Sequence, residues 1–323
     1  MKKRLIFVLV IFTLLCYLTS CSFGKKEISS NDVESETNGS SDVLNKDEDK
    51  SWSLVAPMST GRVNPGVAVY DNKIYIFGGS INRQEETNTV EVYDPGSDKW
   101  TLKANMLSAS CYGAAPIGDL IYIIGKTVQI YDPKTDKWIE RKHNVSITNN
   151  CGVAAANGKI YVIGGNDGNA FKVLEYNPES DIWTEKAKMK SSKRCYGIVS
   201  TGNLIYTVGG SNPEGNKEIS DIEEYNPEKD IWTHLADMEI PRSDIAISVI
   251  NRKIYITGGY QISGQTSLVE QYDMVSKQWE TLKSMDECRG FHKAVALNGK
   301  LYVIGGTDLL AEPFNSIEVL DIK

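Results

Sequence analysis

Sixteen residues before each of six recurrent glycines stands a position that is cationic in four cases, Arg62, Lys193, Arg242 and Arg289, and neutral in two, Ala109 and Thr148. Arg194 adds a further cation beside Lys193. Guanidinium groups offer planar, bidentate donors to carboxylates. In a chain with 42 acidic and 35 basic residues, a cluster of them suits an anionic ligand. Lys126, Asn166 and Tyr260 follow the same glycines and complete the expected ligand-binding set, with Asn82, Arg83, Asn169, Phe171, Asn212, Gln261 and Gln265 as further rim candidates. Tyrosine and phenylalanine at such a rim fit sugar stacking or peptide packing equally. The three histidines, His143, His234 and His292, fall at different places in the repeat. No metal cluster, no catalytic acid or base and no cofactor is therefore expected.

These positions belong to a block that recurs six times: apolar strand, two-residue turn, apolar strand ending in glycine, loop, short strand ending in Tyr, turn, Trp. The second strands read Ile74-Tyr75-Ile76-Phe77-Gly78-Gly79, then end in Gly125, Gly164-Gly165, Gly209-Gly210, Gly258-Gly259 and Gly305-Gly306. Their first glycines are 47, 39, 45, 49 and 47 residues apart. Runs this short, β-branched and aromatic are strands rather than buried helices, and a period near 45 is that of a propeller blade.

Asp71-Asn72, Gly118-Asp119, Asn157-Gly158, Gly202-Asn203, Asn251-Arg252 and Asn298-Gly299 each join two apolar runs, as two-residue hairpins require. Tyr93, Tyr131, Tyr176, Tyr225 and Tyr272 each precede a tryptophan by seven positions. The sixth block ends without its Trp, while Trp52-Ser53-Leu54-Val55-Ala56-Pro57-Met58 matches Trp100-Thr101-Leu102-Lys103-Ala104-Asn105-Met106. The N-terminal strand thus supplies the outer edge of the last blade and removes the open edges. The expected fold is an all-β, six-bladed β-propeller over residues 51–323. Blades 4, 5, 6 and 1 are then consecutive, so the cations form one arc at the channel mouth. Lys126 replaces the second glycine of blade 2, where a short loop lowers the rim.

The Gly-Gly, Tyr and Trp pattern resembles the kelch repeat, and the resemblance covers residues 51–323. It implies that these hallmark residues are structural, and that arginine at the strand entrance either contacts ligand or binds loop carbonyls and carboxylates. Similarity to kelch adaptors of ubiquitin ligases implies peptide binding on this face. Galactose oxidase also carries a kelch propeller, but its copper ligands find no match here. Exported six-bladed sialic-acid mutarotases imply the alternative reading, a carbohydrate-active enzyme (mutarotase, epimerase or lyase) acting on an acidic sugar.

The N-terminus points to export. Lys2, Lys3 and Arg4 precede an apolar run at 5–15, too short for a comfortable membrane span. Leu18-Thr19-Ser20-Cys21 resembles the lipobox of bacterial lipoproteins, which implies a signal peptide at 1–20 and lipidation of Cys21. Residues 21–50 are acidic and poor in large apolar side chains, as expected of a disordered tether. The reading is a membrane-anchored, extracytoplasmic binding module, monomeric, for an anionic glycan, an acidic peptide or a cell-envelope protein. A net charge of −7 argues against nucleic acid. Cys111, Cys151, Cys195 and Cys288 remain in the propeller. They are expected as buried free thiols, with a Cys111–Cys151 or Cys151–Cys195 disulfide open.

Overall fold

A computed structural model describes residues 51–82, 85–166, 170–214, 217–308 and 312–322. Cys21, the segments expected as signal and tether, Arg83 and Asn169 lie outside the described residues. Six four-stranded antiparallel sheets follow one another along the chain. The first is Gly66–Tyr70, Lys73–Phe77, Val90–Asp94 and Lys99–Lys103. The last joins Lys293–Leu297, Lys300–Ile304 and Ile317–Asp321 to the N-terminal Ser53–Leu54. Ser53 pairs with Val319 and Leu54 with Glu318, so the expected ring closure is observed.

The turn chemistry is also as read. The first residue of every predicted hairpin turn has positive φ, from 49° at Asp71 to 60° at Gly202. Four of the six turns are left-handed at both residues, including Asn157-Gly158 at 52° and 71°. That backbone is the type I′ geometry, and it favours Asn, Asp and Gly.

The core lies between sheets. Second strands are mostly apolar, third strands interleave apolar with acidic or amide residues, and both are buried, whereas outer strands such as Lys99–Lys103 are largely exposed. Each Tyr ring packs on the Trp of its own blade, with centroids 5.1 Å apart for Tyr93–Trp100 and 4.7 Å for Tyr131–Trp138. The Trp100 indole N–H then donates to the Ala56 carbonyl, Trp138 to Ala104 and Trp232 to Ala187, stitching these blades to their predecessors. Tyr93 donates to Asp98 at 2.7 Å, and Asp98 accepts the Ala56 N–H as well. The buried Tyr phenols have raised pKa values, first through burial and then through such aspartates. Tyr and Trp are thus blade-to-blade mortar, as expected of structural residues.

The innermost strands of all six blades surround a channel of about 430 Å³.

Candidate functional site

The arginine arc does not face the channel mouth, which corrects the expectation for Arg62, Lys193, Arg242 and Arg289. All four side chains are completely buried. Arg62 Nη1 donates to the carbonyls of Gly78 (3.0 Å) and Thr89 (2.9 Å), and Nη2 to Glu91 Oε1 at 2.6 Å. Arg242 repeats this with Gly258, Leu268 and Glu270, and Arg289 with Gly305 and Glu318. Lys193 Nζ pairs with Asp221 and, at 2.7 Å, with Glu223. Each cation therefore ties the entrance of its blade to the third strand.

The physical reason is charge pairing inside the sheet. A guanidinium taken out of water needs a carboxylate and further acceptors to offset its desolvation. The partners Glu91, Gln129, Glu223, Glu270 and Glu318 sit opposite Ile76, Ile123, Thr207, Ile256 and Val303 in equivalent registers. The matching position in blade 3 is Leu174, opposite Val162. A cation occurs only in blades whose third strand carries Glu, while Ala109 goes with Gln129 and Thr148 with Leu174. This covariation across blades was readable in the sequence.

Beside the channel lies a mouth cavity of about 170 Å³. Two positions after each cationic site come Asn64, Cys111, Asn150, Cys195, Asp244 and Phe291, and all six line it. Five of them are left-handed, with φ between 49° and 60°. The Asp244 N–H donates to Cys195 O, Phe291 N–H to Asp244 O and Asn64 N–H to Phe291 O, at 2.7, 3.1 and 2.8 Å. This backbone chain runs through blades 4, 5, 6 and 1 and fixes the side chains around the opening. Unlike Asn and Asp, Cys195 and Phe291 gain nothing from such a φ; the inter-blade bonds hold them there.

Two residues farther on, at or one residue past the start of the innermost strands, stand Gly66, Gly113, Gly152, Gly197, Ala246 and Lys293, paired respectively with Phe77, Ile124, Ile163, Val208, Thr257 and Ile304. A Cβ on Gly113 would lie 2.7 Å from Val153, and one on Gly197 2.5 Å from Ile247. Neighbouring blades leave no room there. Lys293 alone places a long side chain at this level, and it lines both channel and mouth.

No ion pair or hydrogen bond engages the Lys293 ammonium among the described residues. Burial lowers its pKa, opposed by Cys111, Cys151, Asp244 and Cys195, groups from four other blades. Across the mouth, burial raises the Asp244 carboxyl to about 6 despite hydrogen bonds from Cys195 and Ser243 and the charges of Lys293 and Arg194. Cys111, Cys151 and Cys195 are free thiols, as expected; burial pushes Cys111 and Cys151 up to about 12. Cys288 stands apart from them with a partner of its own.

Among the described residues, none of the remaining expected ones lines this cavity. Arg194 is half-buried, bridges to Ser211 through its backbone, and acts electrostatically on Cys195 and Asp244. Tyr260 packs against Phe291 with ring centroids 5.6 Å apart, and its hydroxyl is buried without a hydrogen-bond partner. Asn166 donates to Asn149 Oδ1 at 2.6 Å and accepts from Asn150, so it shapes the mouth from behind. Lys126 is exposed, with its N–H on Ser110 Oγ. Asn82, Asn212 and Gln261 bond within their own loops, Gln265 reaches Thr307 of blade 6, and Phe171 is partly exposed.

The histidines stay apart. His143 lies by Trp183, His234 is paired with Asp237 on an outer strand, and buried His292 bonds Thr257 at 2.8 Å. Among the described residues no group of His, Cys, Asp or Glu is placed to hold a metal. Lys293 and Asp244 were missed in the sequence because neither shares its residue type with the other blades. Aligned by blade, the run Gly, Gly, Gly, Gly, Ala, Lys is the signal that finds Lys293.

Comparison with known proteins agrees with this architecture. A KLHDC2/KLHL20/DRC7 Kelch-repeats domain matches residues 153–323, and a Kelch motif matches 61–107. Kelch-like protein 35 of Mus musculus is 29% identical over 120 residues, which cover 36% of this chain and 21% of that protein. Kelch-like protein 22 of Homo sapiens is 48% identical over 50 residues, 15% of this chain and 8% of that protein. The chain thus spans about a fifth or less of these relatives. The solved structure of YjhT aligns with a TM-score of 0.70 at 16% identity, covering 82% of this chain and 96% of that one; it shares the fold. With a family match over more than half of its length and six blades of the corresponding sheet order, the chain belongs to the kelch-repeat family.

Proposed function

We propose that this propeller is a binding module that takes a carboxylate-bearing ligand, an anionic glycan or an acidic peptide, at the mouth of its channel. The observation that carries the reading is Lys293, a long cation with no ion partner among the described residues, at a level where the other blades offer only Gly or Ala. An unpaired ammonium in a partly desolvated cavity gains more from an incoming carboxylate than an exposed one does. The mouth, at about 170 Å³, is smaller than the roughly 300–1,000 Å³ of drug-sized sites. It therefore suits one acidic group of a larger ligand, with Phe291 in its wall and Tyr260 packed against that ring. The basic start, the apolar run at 5–15 and Cys21 support a chain exported and held to a membrane by lipid.

A glycan and acidic-peptide array, followed by calorimetry on each hit, tests the site. The parent protein is compared with Lys293→Met and Lys293→Arg. Binding of an acidic ligand that Met abolishes and Arg retains is the expected result. Hits that bind all three proteins equally would place the ligand elsewhere. An array that separates uronate-type sugars from Glu- and Asp-rich peptides then distinguishes the two ligand classes.

A further inference from the structure

We propose that Lys293 is a covalent carbonyl-capture site, whose amine forms a reversible imine with an aldehyde or ketone carried by a small acidic ligand in the channel mouth. The inference rests on the reading of the mouth as the binding site and adds a chemistry to it.

Four features of the cavity lead there. The amine is unpaired among the described residues, and it stands where channel and mouth meet, in contact with both spaces. Its burial lowers the pKa, which raises the share of free amine, the form that attacks a carbonyl. The competing thiols of the mouth are suppressed. Cys111 and Cys151, pushed up to about 12, remain thiols at neutral pH, and Cys195 is raised as well. Asp244, at about 6, can hold or release a proton within the same cavity.

The step balances without any redox partner. The Nζ lone pair attacks the carbonyl carbon, a C–N bond forms, and the π electrons pass to oxygen, which takes up a proton as nitrogen gives one up. The carbinolamine hydroxyl then receives a proton, supplied by the Asp244 carboxyl, and leaves as water while the nitrogen lone pair closes the C=N bond. Hydrolysis reverses the sequence. The positive charge of Arg194, which acts on Cys195 and Asp244 of the mouth, favours an oxo acid over a neutral aldehyde.

The test treats the full chain with glyoxylate and sodium cyanoborohydride at neutral pH, then maps modified lysines by peptide mass spectrometry over time. Hydride delivered to the imine carbon fixes the adduct. The expected result is saturable labelling of Lys293 several-fold faster than of exposed lysines such as Lys134, with acetaldehyde slower than glyoxylate. Lys293→Arg, which keeps the charge, should lose the fast phase and leave slow surface labelling unchanged. Labelling of Lys293 no faster than Lys134 overturns the proposal. Its failure is distinguishable from that of the binding reading: acidic ligands retained by Lys293→Arg with no fast labelling in the parent leave binding intact and remove the covalent step. Fast labelling with array binding indifferent to Lys293 does the reverse.

Discussion

Arg289 Nη2 meets Glu318 Oε1 at 2.6 Å with neither side chain exposed to solvent. One residue enters the innermost region of blade 6 and the other lies on its third strand, so the pair clamps the blade from within. Glu287 adds a second carboxylate to the same guanidinium, and Phe314 lies 5.0 Å from it.

Breaking one half of this pair should cost more than replacing both. Arg289→Met leaves the buried Glu318 carboxylate without its cation, an expected loss of about 3–5 kcal/mol, whereas Glu318→Leu leaves Arg289 with Glu287 alone and should cost less. The double variant resembles blade 3, which lives with Thr148 and Leu174, and should recover most of that loss. Urea unfolding of the four proteins gives the comparison. Additive losses in the double variant would show that the two residues act separately.

Asp244 should make the protein less stable as pH rises. Its carboxyl, at about 6 when folded, is near 4 when unfolded. Between those values the folded chain keeps a proton that the unfolded chain has released, so stability falls across the window and the loss is complete above it. Lys293, Arg194, Cys195, Ser243 and Tyr260 are the groups facing this carboxyl. Asp244→Asn tolerates the left-handed backbone and should stabilise by on the order of 2 kcal/mol at pH 7, with no gain at pH 4. Chemical denaturation at several pH values measures it, and a gain independent of pH would contradict the assignment.

The mouth thiols should be slow to alkylate. At pH 8 iodoacetamide should modify Cys111, Cys151 and Cys195 in the native protein roughly a hundredfold or more slower than in urea, because the thiolate is the reactive form. Mass spectrometry of quenched samples follows this, and native rates equal to denatured ones would place the thiols in ordinary solvent.

Trp52 should anchor the closure of the ring. It is buried and donates from its indole to the Lys283 carbonyl at 2.8 Å, binding the outer strand of blade 6 to blade 5. Trp52→Ala is expected to cost about 3 kcal/mol and to lower the unfolding temperature of the whole propeller in one transition. A change confined to a few tenths of a kcal/mol would mean that pairing of Ser53 and Leu54 suffices by itself.

The architecture was legible because repetition multiplies a weak local signal. One Asn-Gly turn or one Tyr–Trp spacing says little, but six in phase define a blade and its neighbours. The site was less legible for a geometric reason. Counting back from Gly78 or Gly258 locates Arg62 and Arg242 along the chain, yet it does not say whether the side chain turns into the sheet or out to the mouth. That direction is set by Glu91 and Glu270, which are distant in sequence and adjacent only across strands. Lys293 was hidden for the opposite reason. Repeat analysis favours what blades share, whereas the mouth is built from what they do not share: Asp244, Phe291 and Lys293 each occur once at their level.

The hydrogen bond from Ser53 Oγ to the Val319 carbonyl joins residues 266 positions apart. Chains whose native contacts are this distant must close long loops before any contact rewards them, which slows folding. The first strand to emerge during synthesis waits for the last, and until it docks the strand Ile317–Asp321 keeps one edge unpaired. Joining the two ends of the propeller and opening the chain in the Asn157-Gly158 turn, a circular permutation, would make this pair local and move the long wait to blade 3.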